Sequence, residues 1–480
     1  MSRLSYRFGP LERRGILGPV RAGQAAILGG GVLAAIIILD RAPSAAGVVV
    51  ATVLFSISLV FAVAPVGHRT IEEWLPVVAA FSLRRLRGGT RYRSWAPVHG
   101  FGARRAPAVA VPPALRGVAI REVEYRDRTV GALADRGGRW LTTVLACRVV
   151  AFSLLDPEAQ ERRLARWGVV LSSAAGTAVR RIQWIERTAP AQADELARWL
   201  HAERDPAVPL RGTPMIESYL ELIGSTARAS QEHEILVAVQ VDARRAGEQA
   251  LLEETERIAQ GLEAAEVKVL GALSAGQLAR ALRTAFDPYA RAELAALETA
   301  DPKRDGLSEH NAWPLGTRET WDHYQSDGAV HATYWIGGWP RIDVSPMFMD
   351  ALLGRSSAVR TVAVSFEPIP PDRSTREVEA AVTRDRADRD LRRRFGQTDT
   401  ARQRQAEEAT MRRESELAAG HGEVRLAGFV TVSGRDPDDL RRSCAEVLEH
   451  AARARLELHR LYGQQADAFT FTLPLCRGLR

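Results

Sequence analysis

The chain has 480 residues, of which 46% are hydrophobic and only 6% aromatic, so two or three folded units with aliphatic cores are possible. Its net charge of +7 is unevenly distributed: residues 1–100 hold 12 Arg against four acidic residues, which leaves −1 for the other 380. This distribution excludes a globally basic nucleic-acid-binding domain. The three cysteines (Cys147, Cys444 and Cys476) show no CxxC spacing, and free thiols are predicted.

Two apolar stretches near the N-terminus predict a membrane hairpin. Residues 23–39 and 48–64 are each free of charge for 17 residues, about 25 Å as a helix, which is just enough to cross a bilayer core. The connecting DRAPSAAG contains one arginine, whereas several arginines precede the first stretch and follow the second. The positive-inside rule therefore predicts a multi-pass protein of the inner cell membrane with both termini in the cytoplasm.

Two other interpretations of these stretches exist. The first stretch could be a cleaved signal peptide, since small residues at 44–46 follow it, or the pair could be a buried hairpin of a soluble protein. The immediate second stretch and the one-sided arginines favour the membrane hairpin. Four small residues could allow close helix packing, or could reflect the general frequency of small residues in membrane helices. They are Gly30, Gly31, Ala34 and Ala35.

Residues 71–87 predict an amphipathic helix lying along the inner membrane surface. Trp74 would sit at the interface, and three arginines, Arg84, Arg85 and Arg87, would meet anionic headgroups. Residues 1–93 therefore form the predicted membrane region. The Pro- and Gly-rich residues 94–117 predict a linker.

Residues 118–371 alternate between strand and helix patterns, which predicts an α+β fold of mixed sheet and helices on the cytoplasmic side. Asp156 and Ser274 are predicted helix caps. The predicted strands are 118–125, 129–135, 139–154, 179–186, 233–243, 329–344 and 359–369. The predicted helices are 157–175, 214–230, 248–266, 274–286 and 345–353, and residues 287–320 are predicted to be irregular.

Residues 372–419 are intensely charged and predict two long helices folded as a hairpin. A solvated face explains this charge most simply, and a partner-binding stripe is the alternative. Residues 420–480 predict a compact C-terminal α+β unit with a helix capped by Asp436.

No catalytic constellation is found in the sequence. The phosphate-binding pattern GxxxxGK[ST] is absent, and neither lysine, Lys268 or Lys303, follows a glycine, so a P-loop motor domain is not predicted. HExxH and GxSxG are absent as well. The richest polar cluster lies in WDHYQSDGAVH, where a loop leading into a strand is favoured over a metal site. Its members are Asp322, His323, Asp327 and His331. No catalytic residue, cofactor or metal ligand is predicted.

Several segments together resemble one family. YRFGPLERRG (6–15), the hairpin and IEEWLP (71–76) resemble the N-terminus of actinobacterial integral membrane proteins found in conjugation-type loci, and the hairpin resembles the small two-helix subunit of type IV secretion systems. Residues 414–440 and GQQADAFTFTLPL (463–475) resemble the end of the N-terminal domain of type IV secretion ATPases. In those ATPases a Leu-Pro segment leads into the motor, whereas only five residues follow Leu475, so the resemblance implies a chain without the motor.

The first hypothesis is therefore a membrane-anchored assembly component of a type IV secretion-like or conjugative apparatus. It would bind the lipid bilayer, other membrane subunits, further copies of itself and a separate secretion ATPase. A second hypothesis is a membrane-tethered nucleic-acid-binding protein guiding transferred DNA, suggested by the arginines at 84–105 and 384–413. A third, weaker one is an enzyme that uses the cluster at 322–331.

Overall fold

A computed structural model describes most of the chain, and every structural statement below concerns these residues. The described residues are 22–67, 69–94, 109–126, 128–148, 152–190, 214–215, 218, 231–290, 294, 306–340, 342–354, 356–394, 401–420 and 422–479. The chain divides into two compact units. The hairpin unit comprises Gly9–Gly89 and Glu379–Met411, and the sheet unit contains Thr90–Val378 and Arg412–Arg480.

The predicted N-terminal apolar helices are confirmed. Helix α1 is Ala22–Arg41 and helix α2 is Ala45–Val63. Pro43, in the connection of residues 42–44, cannot continue the first helix, and the Ser44 side chain starts the second by accepting a hydrogen bond from Gly47 N (3.2 Å). Two short antiparallel strands, β1 (Pro65–Val66) and β2 (Arg69–Thr70), lead into α3, Ile71–Leu86.

The sheet unit is built on one sheet of 13 strands. The strands are β3 (Arg91–Arg93), β4 (Ala119–Tyr125), β5 (Arg128–Asp135), β6 (Trp140–Arg148), β7 (Val179–Pro190), β8 (Gln231–Asp242), β9 (Lys268–Ala272), β10 (Gly316–Glu319), β11 (Tyr324–Ser326), β12 (Ala329–Gly338), β13 (Val359–Ile369), β14 (Glu423–Gly434) and β15 (Glu457–Arg460). Their order is β3-β10-β11-β12-β14-β13-β7-β8-β6-β5-β4, with β15 beside β12 and β9 beside β6. The α+β fold class is thereby confirmed.

Six of the described helices pack on this sheet, and four of them, α4, α5, α6 and α10, begin at side-chain caps. The bounds are α4 (Pro157–Ser173), α5 (Ala243–Ala264), α6 (Ala275–Phe286), α7 (Asp350–Leu353), α10 (Pro437–Arg453) and α11 (Gln465–Phe469). Asp156 accepts a hydrogen bond from Ala159 N (2.7 Å), and Asp436 accepts one from Asp439 N (2.8 Å), as their predicted cap roles require. The charged segment forms α8 (Pro371–Arg394) and α9 (Ala401–Ala418).

Both faces of the sheet are covered, which explains the unbroken apolar run ILVAV in β8. On one face, Leu236 packs with Leu278 and Leu282 of α6. On the other face, Val237 packs with residues of α4 and α5, among them Ile258. A strand buried on both sides cannot alternate between polar and apolar residues.

The C-terminal segment, Leu473–Leu479, is held against the sheet by buried polar side chains. Leu475 is fully buried. Gln183 of β7 accepts a hydrogen bond from Cys476 N (2.8 Å), and Gln240 of β8 donates one to Leu475 O (2.9 Å). Arg477 donates two hydrogen bonds to the carboxylate of Asp135, at 2.6 and 2.8 Å. These bonds satisfy polar groups that would otherwise be buried without partners.

Several expectations from the sequence need correction. Residues 316–319 form β10, inside the stretch predicted to be irregular, and residues 345–353 contain only the four-residue helix α7. The short strands β9 and β15 were not predicted. Residues 420–480 supply β14, which lies between β12 and β13 in the middle of the sheet. Most of the predicted helix 214–230 lies outside the described residues.

Candidate membrane anchor and interfacial helix

Helices α1 and α2 are long and apolar enough to cross a membrane. The candidate spans are Gly23–Arg41 and Ala45–Val63, with mean hydropathies of 1.8 and 2.5. Their large apolar side chains are mostly exposed; Leu33, for example, is 60% exposed. A soluble protein would bury such a surface, whereas hydrocarbon is a favourable surrounding for it.

The two helices approach each other closely at Gly31. A Cβ atom there would lie 2.5 Å from Ser58 Oγ of α2, so only glycine fits without a shift. Gly30 has open space around it, and Ala34 and Ala35 are half-buried. Nearer the start of α1, Gln24 Nε2 donates a hydrogen bond to Ala62 O (2.9 Å). Of the two predicted packing glycines, only Gly31 therefore faces the partner helix.

A carboxylate in the first turn of helix α3 caps the start of the helix. Glu73 accepts a hydrogen bond from Thr70 N (3.0 Å), and with Glu72 it places negative charge at the positive end of the helix dipole. The guanidinium of Arg69 lies 5.3 Å from the ring centre of Trp74, which is half-buried. The predicted interfacial tryptophan is thus part of a cation–π pair.

The other end of α3 is basic. Arg85 and Arg87 are exposed, whereas Arg84 is half-buried and interacts within the protein. The helix buries Val77 and Phe81 on one side and leaves other apolar residues exposed, including Leu75, Val78, Leu83 and Leu86. An amphipathic helix with exposed apolar and basic side chains is the kind that lies in a membrane interface.

The polar cluster at 322–331 has structural partners for each of its members. Asp327 pairs with Arg283 and accepts a hydrogen bond from Gly316 N (2.9 Å). Asp322 and His323 bond to each other (2.9 Å). Within the described part of the chain, no group of three or more His, Cys, Asp or Glu residues is arranged to hold a metal ion.

His331, the last member of that cluster, is fully buried. Its ring nitrogens lie 2.8 Å from Ser433 Oγ and 2.9 Å from Ser326 Oγ. Burial lowers the pKa of His331 to about 4, because a charged ring would lose its hydration. The neutral ring is therefore a hydrogen-bonded part of the core.

Four arginines of α8 and α9 are engaged with acidic residues: Arg373, Arg376, Arg389 and Arg413. Arg389 pairs with Glu407, and Arg376 pairs with Asp372 at 2.9 Å. Arg413 pairs with Glu423 close to the start of β14. Paired guanidinium groups are less available for phosphates, so these four arginines give little support to nucleic-acid binding.

Sequence reasoning missed the buried charges of β7. Arg187, with 2% of its side chain exposed, donates hydrogen bonds to Glu234 (3.1 Å), Thr284 Oγ1 (2.9 Å) and Ala281 O (3.0 Å). Arg181 pairs with Glu367 at 2.9 Å and holds the C-terminal segment through Cys476 O and Leu479 O. The only sequence signal for these buried charges was that β7 carries polar residues between its apolar ones.

A known protein family matches part of the sheet unit. Residues 233–336, which run from β8 to β12, match the family described as EccE, a putative type VII ESX secretion system translocon. No curated protein matches the chain. The sheet unit is therefore similar, over about a hundred residues, to a component of a membrane secretion system.

This match corrects the family expected from the sequence. A secretion-associated membrane component is supported, but the matching family belongs to type VII systems, and the type IV and conjugation assignments receive no support. A translocon family also agrees with a non-enzymatic role. The docking of a separate ATPase has no counterpart in this finding.

Proposed function

We propose that this protein is a membrane-anchored, non-catalytic subunit of a type VII-like secretion apparatus. The observation that carries the proposal is the EccE match on the central strands of a chain that also has two candidate membrane helices. The hairpin would span the inner membrane, with both termini and the sheet unit on the cytoplasmic side. The basic flanks of the hairpin support that orientation.

In this proposal α3 attaches the cytoplasmic end of the anchor to the membrane surface. Exposed Arg85 and Arg87 would meet anionic headgroups, with half-buried Trp74 at the interface. Partners would be the other membrane subunits of the apparatus. Energy for transport would come from a separate ATPase, because the sequence has no phosphate-binding loop.

A secretion assay tests this function. Deleting the gene should abolish export of type VII substrates into the medium, and the full chain should restore it. Leu33→Arg together with Val53→Arg should fail to restore it and should release the protein from carbonate-washed membranes, since each places a charge in an apolar span. The matched control is Leu154→Arg, which is 82% exposed outside the hairpin and should complement fully.

Two outcomes would contradict the proposal. One is normal type VII export without the gene, and the other is loss of conjugal DNA transfer alone. A membrane-released hairpin variant that still supports export would show instead that the anchor is dispensable.

A further inference from the structure

The sheet is built from two halves that correspond element by element. Outward from the central β7–β13 pair, one half runs β7, β8, β6, β5, β4 and the other runs β13, β14, β12, β11, β10. The short strands β9 and β15 take matching places beside β6 and β12. A long connection also occurs at the same point, 191–230 between β7 and β8, and 370–422 between β13 and β14.

The two halves repeat an unusual helix ending. After α5, Glu266 has φ +61°, and after α10, Arg455 has φ +57°, although glycine is the usual residue in this conformation. The next strand begins two residues later in each case. The closing hydrogen bonds join Val267 N to Leu262 O (3.0 Å) and Leu456 N to Ala451 O (2.8 Å). Agreement in such detail supports a true correspondence between the halves.

The halves differ at their outer edges. Strand β10 carries one more strand, β3, whose residues Arg91–Arg93 pair antiparallel with Gly316–Arg318. The pairing is extended by hydrogen bonds from Ser94 N to Leu315 O (2.7 Å) and from Glu319 N to Thr90 O (2.8 Å). Strand β4 is the counterpart of β10, and among the described strands it pairs only with β5.

One hydrogen bond shows which backbone groups of β4 point away from β5. Ile120 N donates to Glu309 Oε1 (2.9 Å), so its amide faces outward. Because amides alternate in direction along an antiparallel strand, those of Glu122 and Glu124 face outward too. No described residue accepts a hydrogen bond from these two amides. The open stretch 122–124 is as long as β3.

The charges beside this open edge determine which kind of segment can pair with β4. The side chains of Glu122 and Glu124 are exposed and lie beside the open backbone. A second copy of β4 would place like charges opposite one another, which is unfavourable. An extended segment with basic residues at alternate positions would place opposite charges there, and β3 itself has that pattern in Arg91 and Arg93.

We propose that the edge of β4 at Glu122–Glu124 is a docking site for an extended, basic segment of a partner protein. The segment would add one strand to the sheet, with main-chain hydrogen bonds giving affinity and arginine–glutamate pairs giving selectivity. Strand β3 fills the corresponding place in the other half. This inference goes beyond the proposed function and does not depend on which secretion system the protein serves.

Peptide binding to the full-length protein in detergent tests the site. The probe is a fluorescent TVRVRVT peptide, read by anisotropy across salt concentrations. Glu122→Pro removes an outward amide and should weaken binding about tenfold or more, and Glu122→Gln with Glu124→Gln should weaken it about threefold to tenfold. Glu263→Gln, an exposed substitution on α5, is the matched control and should change nothing.

A peptide N-methylated at the amides that would face β4 provides a test that does not rely on the stability of any variant. It keeps every charge but cannot form the added ladder, so loss of binding is expected. Equal binding of the methylated and plain peptides would overturn the proposal, because attraction would then be electrostatic alone. Absence of binding by the plain peptide, or full binding by a folded Glu122→Pro variant, would overturn it as well.

Discussion

The hairpin and the sheet are stabilised by opposite means. In the hairpin, α1 and α2 meet at Gly31 and expose most of their apolar side chains, so the surroundings must supply the favourable free energy. The sheet unit instead buries polar side chains such as Arg187, Gln183 and His331, and each of these forms hydrogen bonds within the protein. Local sequence therefore specifies the hairpin, whereas distant partners specify the sheet.

The sharpest test of this difference removes a buried charge from the sheet. Arg187→Met keeps most of the side-chain volume but deprives Glu234, Thr284 and Ala281 O of their donor. The expected loss is about 3 kcal/mol of unfolding free energy, because a partly buried carboxylate is left unpaired. Urea unfolding in detergent, followed by tryptophan fluorescence, measures it.

A surface ion pair provides the control for that measurement. Arg166 lies 2.8 Å from Glu266, but 47% of its side chain is exposed. Arg166→Met should cost about 0–1 kcal/mol, since the Glu266 carboxylate is partly exposed to water and stays paired with Arg163 at 2.9 Å. Equal losses in the two variants would show that burial of Arg187 is not what makes its network matter.

The next largest expected effect is a loss of folding stability as the pH falls from 6.5 towards 4. The pKa of His331 is lowered to about 4 in the folded protein, below its ordinary value of about 6.5. Unfolding therefore takes up a proton as the pH falls below about 6.5. The stability contributed by the neutral ring is full above that pH and is lost towards pH 4, by about 3 kcal/mol in all.

Replacing the ring isolates this contribution from that of the carboxylates, which also titrate in acid. His331→Gln should flatten the unfolding free energy between pH 6.5 and 4 relative to the unsubstituted protein. His310→Gln, at an exposed position, should leave the curve unchanged. A parallel slope in all three proteins would place the titrating group elsewhere.

The same contrast explains what the sequence could predict. Charge-free stretches and flanking arginines identified α1 and α2, and side-chain caps identified α4 and α10, because each signal lies within a few residues. The position of β14 between β12 and β13 depends on pairing across nearly a hundred residues and leaves no local pattern. The partners of Arg187 come from two distant segments, β8 and α6, and no local pattern predicted them either.

The hairpin can be tested with a pair of adjacent glycines. Gly31→Val adds atoms where a Cβ would lie 2.5 Å from Ser58 Oγ, whereas Gly30→Val faces open space. We expect the first substitution to weaken helix association by about 1–2 kcal/mol and the second to have little effect. A short thiol cross-linker between Gln24→Cys and Ala62→Cys reports the approach of α1 and α2, since those positions are hydrogen-bonded neighbours. Equal cross-linking in both valine variants would mean that Gly31 is not the close contact.

The smallest loss of unfolding free energy is expected for a substitution on the charged helix α8, because its charged side chains are exposed to water. Arg376 and Asp372 lie 2.9 Å apart, with 76% and 70% of their side chains exposed. Arg376→Ala should lower the unfolding free energy by no more than about 0.5 kcal/mol, because screening and side-chain entropy offset the attraction. The loss should vanish at high salt, where the Debye length falls to about 3 Å. A loss approaching that of Arg187→Met would mean that α8 is packed against something that excludes water, and would favour a partner-binding stripe over a solvated face.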